Sequence, residues 1–410
     1  MILTERLISL RKRAWDNAKL HIFPFWCSEF IMDKENGGFY STVTLDMQRE
    51  NTEPRSLVLT GRMVYAYAHA YMQFGDDIYL ERAKYTFDYL MEHFYDRELG
   101  GAYSFVDKDG KVVSDEKPLY SEAFFIMACA AYYHATRDAE ALRAAMETFD
   151  IIETKVKRGA ADYPNNLARD WTPVQKLATG RMSFPPDAIV FPHHLMQAYD
   201  QLYRATKNAA LKPVLHELAL CVTDLLYDEK RHNFCTFFDA DKKRLGSHQS
   251  FGHDCELSYL AMDVARLTGD KALVEAVAIV CEDVLRNVLK NDFDPWHSLY
   301  NGENLDTGER EKSHVWWAQA EAVTAMLFGY QLTGDEAFLQ ACENQLEYIE
   351  KYFINHKDGD WYNNVVVDET GSHVVDGMHG YDKLNGGKCP FHNSHMCFEV
   401  IRRVEEILKQ

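Results

Sequence analysis

The chain has 410 residues, 47% of them hydrophobic and 26% charged, which is typical of a globular protein with a large core. Its formal charge of −19 opposes binding to phosphates or anionic lipid, so we expect neither nucleic acid nor membrane as a partner. No apolar run approaches the roughly 20 residues that cross a bilayer, and the nine cysteines form no CxxC pair, which favours a cytoplasmic protein with free thiols.

The first predicted element is an amphipathic helix within residues 1–15, where charges interrupt the apolar positions, unlike in a signal peptide. A helix–turn–helix phrase then recurs at 73–80, 135–142, 205–211, 267–274 and 332–339. Its turn residues stand where a helix N-cap belongs and lie 62 to 70 residues apart: Asp76, Asp138, Asn208, Asp270 and Asp335. This period corresponds to two helices with their connections, and six such units fill the chain.

Short strand and turn segments lie between these phrases: GGFY at 37–40, GGAYSFVD at 100–107, FCTFFD at 234–239 and GDWYNNVVVD at 359–368. Repeated helical hairpins form either an open solenoid or a closed toroid. Six units favour closure, so we predict an all-α (α/α)6 barrel with short β-hairpins in the loops at one rim. No linker rich in Pro, Gly or Ser interrupts the chain, so residues 1–410 are predicted to form a single domain.

Several polar residues interrupt helices that are otherwise apolar and aromatic. Arg62 lies in LVLTGRMVYAYAHAY and His194 in VFPHHLMQAYDQLY. In SFGHDCELSYL, His253 and Glu256 stand three residues apart on one helix face, where a carboxylate orients an imidazole for acid–base chemistry. The alternative interpretations are that His194 is a core histidine and that His253 and Glu256 form a surface ion pair.

Two segments near the end of the chain carry similar signals. In HVWWAQAEAV, Trp317 and Glu321 stand four residues apart, and a carboxylate there needs a polar cavity or a basic partner. In KCPFHNSHMCFE, His392 begins the last helix, where the helix dipole favours a neutral base, and Glu399 shares its face. A capping role for His392 is the alternative.

Motifs for cofactors and metals are missing from the sequence. It contains no HExxH, no P-loop and no strand–GxGxxG–helix unit. The adjacent His193 and His194 do not have a metal-ligand spacing, and no convincing ligand set is visible. We therefore expect a reaction that runs on side chains, with no cofactor and no metal.

The segments SFGHDCE, HVWWAQAEA and KCPFHNSHMCFE, in that order, resemble the N-acylglucosamine 2-epimerase superfamily. Within it they are closest to the cellobiose and mannose 2-epimerases, and PFW at 24–26, GGFY, Arg62, GGAY and the stretch from Tyr120 fit as well. The resemblance implies an (α/α)6 barrel without a metal that moves the proton at C2 of a sugar through a cis-enediolate. It implies that His253 and His392 are the acid–base pair. It implies a substrate-binding set of seven residues, in which the two carboxylates either bind the sugar or support a histidine: Arg62, Tyr120, His194, Glu256, Tyr259, Trp317 and Glu321.

The chain also departs from the cellobiose 2-epimerase pattern. Gly387 and Tyr259 stand where those enzymes carry tryptophans, and three polar contacts are changed at Val190, Gln197 and His395. Several contacts of a disaccharide site are therefore missing. We expect a carbohydrate 2-epimerase that interconverts D-mannose and D-glucose, with a small-molecule sugar as its partner and a monomeric or homodimeric state.

Four alternatives stay open at this point. A cellobiose 2-epimerase and an aldose–ketose isomerase that converts mannose to fructose would use the same scaffold. An (α/α)6 glycoside hydrolase needs two carboxylates that flank the cleaved bond, which paired histidines fit poorly. A non-catalytic sugar-binding barrel needs no acid–base histidine.

Overall fold

The structure is a computed structural model that describes residues 2–178, 189–239, 241–368, 370–377 and 381–409. In chain order its α-helices are α1 (Leu3–Asp16), α2 (Phe23–Trp26), α3 (Leu57–Phe74), α4 (Asp77–His93), α5 (Leu119–Thr136), α6 (Ala139–Ile151), α7 (His193–Thr206), α8 (Leu211–Cys221), α9 (Phe251–Thr268), α10 (Lys271–Asn291), α11 (Trp316–Thr333), α12 (Glu336–Tyr348) and α13 (Phe391–Ile407). π-Helical segments extend α1, α6, α8 and α12 at Asn17–Ile22, Ile152–Val156, Val222–Leu226 and Ile349–Phe353, and Glu29–Ile31 is a 3₁₀ turn.

The helices form two concentric rings. Helices α3, α5, α7, α9, α11 and α13 pack side by side in that order, and α13 packs against α3 to close the inner ring. Helices α1, α4, α6, α8, α10 and α12 pack around them. The predicted (α/α)6 barrel is confirmed, and the open superhelix is wrong because the last inner helix contacts the first.

Burial follows from this arrangement. Helices α5 and α11 are buried on nearly all sides, because an inner helix is covered by its neighbours and by the outer ring. Helix α10, in the outer ring, buries only a stripe that includes Leu273, Val277 and Val284. The nine cysteines are free thiols, as predicted. Among the helices of the described ranges, none combines the length and the apolar character that crossing a membrane requires.

The recurring turn phrases mark the starts of outer helices. The carboxylates of Asp138, Asp270 and Asp335 accept hydrogen bonds from backbone N–H groups in the first turns of α6, α10 and α12. Asp76 precedes α4 without such a bond, and Asn208 accepts one from the backbone N–H of Ala210, just before α8. A capped N–H would otherwise be unpaired at the helix start, so these residues stabilise each turn between an inner and an outer helix.

The strands are short and lie in the loops. In chain order they are β1 (Thr42–Val43), β2 (Arg49–Glu50), β3 (Arg55–Ser56), β4 (Phe105–Val106), β5 (Val112–Ser114), β6 (Ile189–Val190), β7 (Tyr227–Asp228), β8 (Asn233–Phe234), β9 (Phe237–Phe238), β10 (His248–Ser250), β11 (Gly302–Asn304), β12 (Glu309–Glu311), β13 (His314–Val315), β14 (Asn364–Val367) and β15 (His373–Val375). They pair antiparallel as β1-β2, β3-β4-β5, β6-β9, β7-β8, β10-β11-β12 and β13-β14-β15. The predicted segment at 37–40 forms only an isolated bridge, between Phe39 and Met32.

These sheets fix the ends of the inner helices. Helices α3, α9 and α11 each begin at the residue that follows a strand, namely β3, β10 and β13. The N-terminal ends of the inner helices therefore meet the hairpins at one rim, as predicted. That rim holds the chemically distinctive side chains described below.

Candidate active site

A cavity of about 490 Å³ lies at the hairpin rim, among the N-terminal turns of the inner helices. Eight side chains in the cavity wall lie within the first two turns of the inner helices. These side chains are Arg62, Tyr120, His193, His194, His253, Glu256, Trp317 and His392. Six inner helices that begin at the same rim thus bring together residues that are far apart in the sequence.

His392 is held by a carboxylate from another helix. Its Nδ1 lies 2.7 Å from Oε1 of Glu321, and the hydroxyl of Tyr259 donates to Oε2 of Glu321 at 2.6 Å. Glu321 and Tyr259 are buried and are not among the residues that line the cavity. They lie behind His392, where Glu321 supports the histidine directly and Tyr259 contacts Glu321.

Glu399, which shares a helix face with His392, pairs with arginines instead of with that histidine. Glu399 accepts hydrogen bonds from Arg402 and forms a second ion pair with Arg403 at 2.9 Å. Seven residues correspond to about 10 Å along a helix axis, which is too far for a direct contact. A shared helix face is therefore not sufficient for two side chains to meet.

Burial acts on both members of the Glu321–His392 pair. It raises the pKa of Glu321, an effect that the nearby Glu256 strengthens, and it lowers the pKa of His392. The hydrogen bond between them holds a proton on the Nδ1 side of the imidazole. The other ring nitrogen, Nε2, is then free to accept a proton from a ligand.

His253 has aromatic neighbours instead of a carboxylate partner. Its ring packs on Trp317, with the centroids 4.9 Å apart, and against His193 at 5.0 Å. The carboxylate of Glu256 lies 3.9 Å from Nε2 of His193 and 3.9 Å from Nδ1 of His194. The prediction that Glu256 orients His253 is therefore wrong, since Glu256 turns toward α7. Burial lowers the pKa of His253 to about 4.

Arg62 places a buried positive charge beside the cavity. Its guanidinium lies 4.2 Å above the ring of Phe124 and donates from Nη2 to the hydroxyl of Tyr120 at 3.0 Å. Its Nε–H has no hydrogen-bond partner among the described residues. Burial raises the pKa of Glu256 to about 7, against the opposing effect of Arg62. Arg62 is thus positioned to meet negative charge that develops in the cavity.

The loop before α13 is anchored under the cavity. Lys388 and Asp360 form a fully buried ion pair, and Asn393 Nδ2 also donates to Asp360, at 2.8 Å. Gly387 lies beside this anchor in the cavity wall, and a Cβ there would meet only Asn385 Oδ1, at 3.5 Å. The structure therefore leaves open space where a larger side chain could project.

The other departures from the cellobiose pattern lie in different surroundings. His395 is buried, with its Nδ1 2.8 Å from the hydroxyl of Tyr65, and Gln197 is buried in α7. The side chain of Val190 lies outside the described part of the structure. His193 has no role predicted from the sequence, because its spacing to His194 is not that of a metal-ligand pair. The available signal was its place at the first position of an inner helix.

Comparisons with known proteins find relatives over nearly the whole chain. The family model for N-acylglucosamine 2-epimerase (GlcNAc 2-epimerase) matches residues 37–381. Cellobiose 2-epimerase from Ruminococcus albus is 33% identical over 393 residues, which cover 94% of this chain and 97% of that protein. A sugar epimerase from a ruminal bacterium has a crystal structure with a TM-score of 0.87 and 30% identity, covering 96% of this chain and 98% of that chain. A D-mannose isomerase shares the fold, with a TM-score of 0.76 and 19% identity over 97% of each chain.

Proposed function

Since the chain belongs to the N-acylglucosamine 2-epimerase family, we propose that it interconverts the C2 epimers D-mannose and D-glucose. Membership makes it a sugar epimerase and hence an isomerase. The C2 proton of an open-chain aldose is acidic because it lies next to the C1 aldehyde. Removing it gives a cis-enediolate, and returning a proton to the opposite face inverts C2.

The observation that carries this proposal is the placement of two histidines around Trp317. The ring centroids of His253 and His392 lie 4.9 and 5.6 Å from that of Trp317. In the inner ring, α11 separates the helices that carry the two histidines. Two imidazoles can then approach a sugar from different directions, as inversion requires.

The environments of the histidines give them complementary roles. Glu321 accepts from Nδ1 of His392, so Nε2 serves as the base and the carboxylate stabilises the imidazolium that forms. His253 is partly exposed in the cavity and exchanges protons with solvent. Its pKa of about 4 in the empty site rises when the negative enediolate forms beside it. In the reverse reaction the two histidines exchange roles.

The remaining cavity residues act on the sugar itself. Arg62 stabilises the enediolate oxygen with a fixed positive charge, and its unpartnered Nε–H provides a donor. Tyr120 holds the Arg62 guanidinium, while Glu256 and His194 bind the sugar hydroxyls. Trp317 offers an apolar face to the C–H surface of the sugar. Tyr259 is a positioning residue that acts through Glu321.

Gly387 favours a monosaccharide as substrate. A tryptophan at this position would fill the open space at the cavity wall and provide a platform for a second sugar ring. Glycine provides no such surface. The expected cytoplasmic location and the monomeric or homodimeric state stay predictions, and size-exclusion chromatography tests the latter.

Proton NMR in D₂O tests the reaction directly. The enzyme is incubated separately with D-mannose, D-glucose, D-fructose and cellobiose. We expect mannose to give glucose that carries deuterium at C2, with a higher kcat/KM than cellobiose. Fructose as the main product would identify an aldose–ketose isomerase, and a tenfold preference for cellobiose would identify a disaccharide epimerase.

Substitution of each histidine tests the two-base mechanism. His253→Asn and His392→Asn keep polarity and remove acid–base function, so kcat for epimerisation should fall by about 10² to 10⁴. The surviving histidine should still exchange the C2 proton with deuterium without inverting C2. His232→Asn, at an exposed histidine that pairs with Asp283, is the matched control. Near-wild-type epimerisation by both cavity variants would contradict the mechanism.

A further inference from the structure

Two cavity side chains, His193 and Glu256, have no hydrogen-bond partner among the described residues at either of their polar atoms. These atoms, both ring nitrogens of His193 and both carboxylate oxygens of Glu256, are buried. Glu256 is 1% exposed. A buried polar group without a hydrogen-bond partner destabilises the protein, so binding of a ligand that satisfies these atoms would be favoured. In the proposed function, Glu256 binds sugar hydroxyls and takes no part in proton transfer. His193 has no role there.

These two side chains form a cluster with His253. One donor atom from each of His193, His253 and Glu256 lies within 4.8 Å of the other two, and Nε2 of His193 is 3.9 Å from Oε2 of Glu256. The helices that carry them, α7 and α9, are neighbours in the inner ring. We propose that His193, His253 and Glu256 bind a divalent transition-metal ion of the Zn²⁺ type.

The donor set determines the class of metal. Two imidazole nitrogens and one carboxylate oxygen suit Zn²⁺ and its neighbours, whereas Mg²⁺ and Ca²⁺ prefer oxygen ligands. Zinc bonds of about 2.0–2.2 Å place tetrahedral ligands about 3.3 Å apart, so the side chains close by roughly 1 Å on binding. Three protein ligands leave a fourth position for water.

Charges in and around the site have opposing effects on the binding of a metal cation. The formal charge of −19 on the chain attracts cations. Arg62 opposes a metal ion, because its charge already acts on Glu256.

A bound ion would inhibit the enzyme. It would occupy His253 and Glu256, which the proposed function assigns to proton transfer and to sugar binding. Zinc and sugar should therefore compete. The inhibition rests on the proposed function, whereas the binding of zinc does not.

Zinc binding is measured first, without catalysis. Protein treated with EDTA and then dialysed is titrated with ZnCl₂ in a calorimeter, and Co²⁺ reports coordination through its visible spectrum. We expect one ion per chain at this cluster and at least a tenfold weaker affinity in His193→Asn. His232→Asn removes an exposed histidine and should bind zinc like the wild type. Equal affinity in His193→Asn and wild type would overturn the proposal.

A second variant and a kinetic measurement distinguish a failure of the proposed metal site from a failure of the proposed function. His193→Gln should match the zinc affinity of His193→Asn, and near-ultraviolet circular dichroism checks that both variants fold. Zinc should raise KM for D-mannose without changing kcat in the wild type, and tenfold more zinc should be needed in His193→Asn. Zinc binding through His193 without any inhibition would support the metal site and contradict the assigned role of His253.

Discussion

Replacing Glu321 with glutamine removes one negative charge beside His392 and leaves the side-chain shape almost unchanged. In the wild type, the carboxylate accepts from Nδ1 of His392 at 2.7 Å and from the hydroxyl of Tyr259 at 2.6 Å. The glutamine oxygen can replace only one of these contacts. Its NH₂ group can donate to Nδ1 of His392, which moves the ring hydrogen to Nε2 and blocks the proposed base.

The size of the effect follows from these two contacts. A hydrogen bond to a charged group contributes about 1.5–3 kcal/mol, which corresponds to about 10- to 150-fold in rate when the transition state loses it. The change of tautomer adds to this loss. We therefore expect Glu321→Gln to lower kcat by at least about 10²-fold. Tyr259→Phe leaves the carboxylate and His392 in contact, so a loss of about 1 kcal/mol, or about fivefold, is expected.

Initial rates of C2 deuteration, followed by proton NMR from pH 5 to 9, measure both effects. Losing the carboxylate charge lowers the pKa of His392, so the acid limb of kcat should move to lower pH in Glu321→Gln. Tyr259→Phe should leave that limb nearly in place. The reasoning fails if Glu321→Gln retains kcat within threefold of the wild type, or if Tyr259→Phe loses as much activity.

Three further predictions concern specificity, stability and metal dependence. Gly387→Trp fills open space at the cavity wall, so kcat/KM for cellobiose relative to D-mannose should rise at least tenfold, and an unchanged ratio in steady-state assays would contradict this. Burial raises the pKa of Glu122 to about 8, so its contribution to stability is present at low pH and is lost as the pH rises toward 8. Urea titrations should therefore show the free energy of unfolding of the wild type, relative to Glu122→Gln, falling by up to about 1.4 kcal/mol per pH unit from pH 5 to 8, and a constant difference would refute it. EDTA treatment should leave epimerase activity within twofold of the untreated enzyme, and loss restored by one divalent ion would identify a required metal.

The fold could be predicted from local signals. Asp138, Asp270 and Asp335 each cap a helix that begins within three residues, so a short sequence window contains both the cap and the helix. Their spacing then gave the number of helical pairs. Closure of the ring depends on contact between α3 and α13, but the count of six units was enough to favour it.

The partners of the site residues were harder to predict. Glu321 and His392 are 71 residues apart, and no local pattern connects them. From the sequence, Glu256 was expected to orient His253, and Glu399 was placed on the helix face of His392, because only residues on one helix can be compared without a structure. The carboxylate of Glu256 lies 3.9 Å from histidines of α7, whereas that of Glu399 pairs with Arg402 and Arg403 of its own helix. Spacing along one helix therefore does not identify the partner of a carboxylate in this barrel.

Position along the inner helices explains which residues reach the cavity. Tyr120, His194, Trp317 and His392 are each the second residue of their helix, and Arg62 and Glu256 are each the sixth. Second and sixth positions are four residues apart and share one helix face, here the face turned toward the cavity. Glu321, the sixth residue of α11, differs because it contacts His392 instead of lining the cavity. The same rim carries the positive ends of the helix dipoles, which favour a negative enediolate there. A search of the first two turns of each inner helix would have placed His193 near the site and excluded Glu399, the ninth residue of α13.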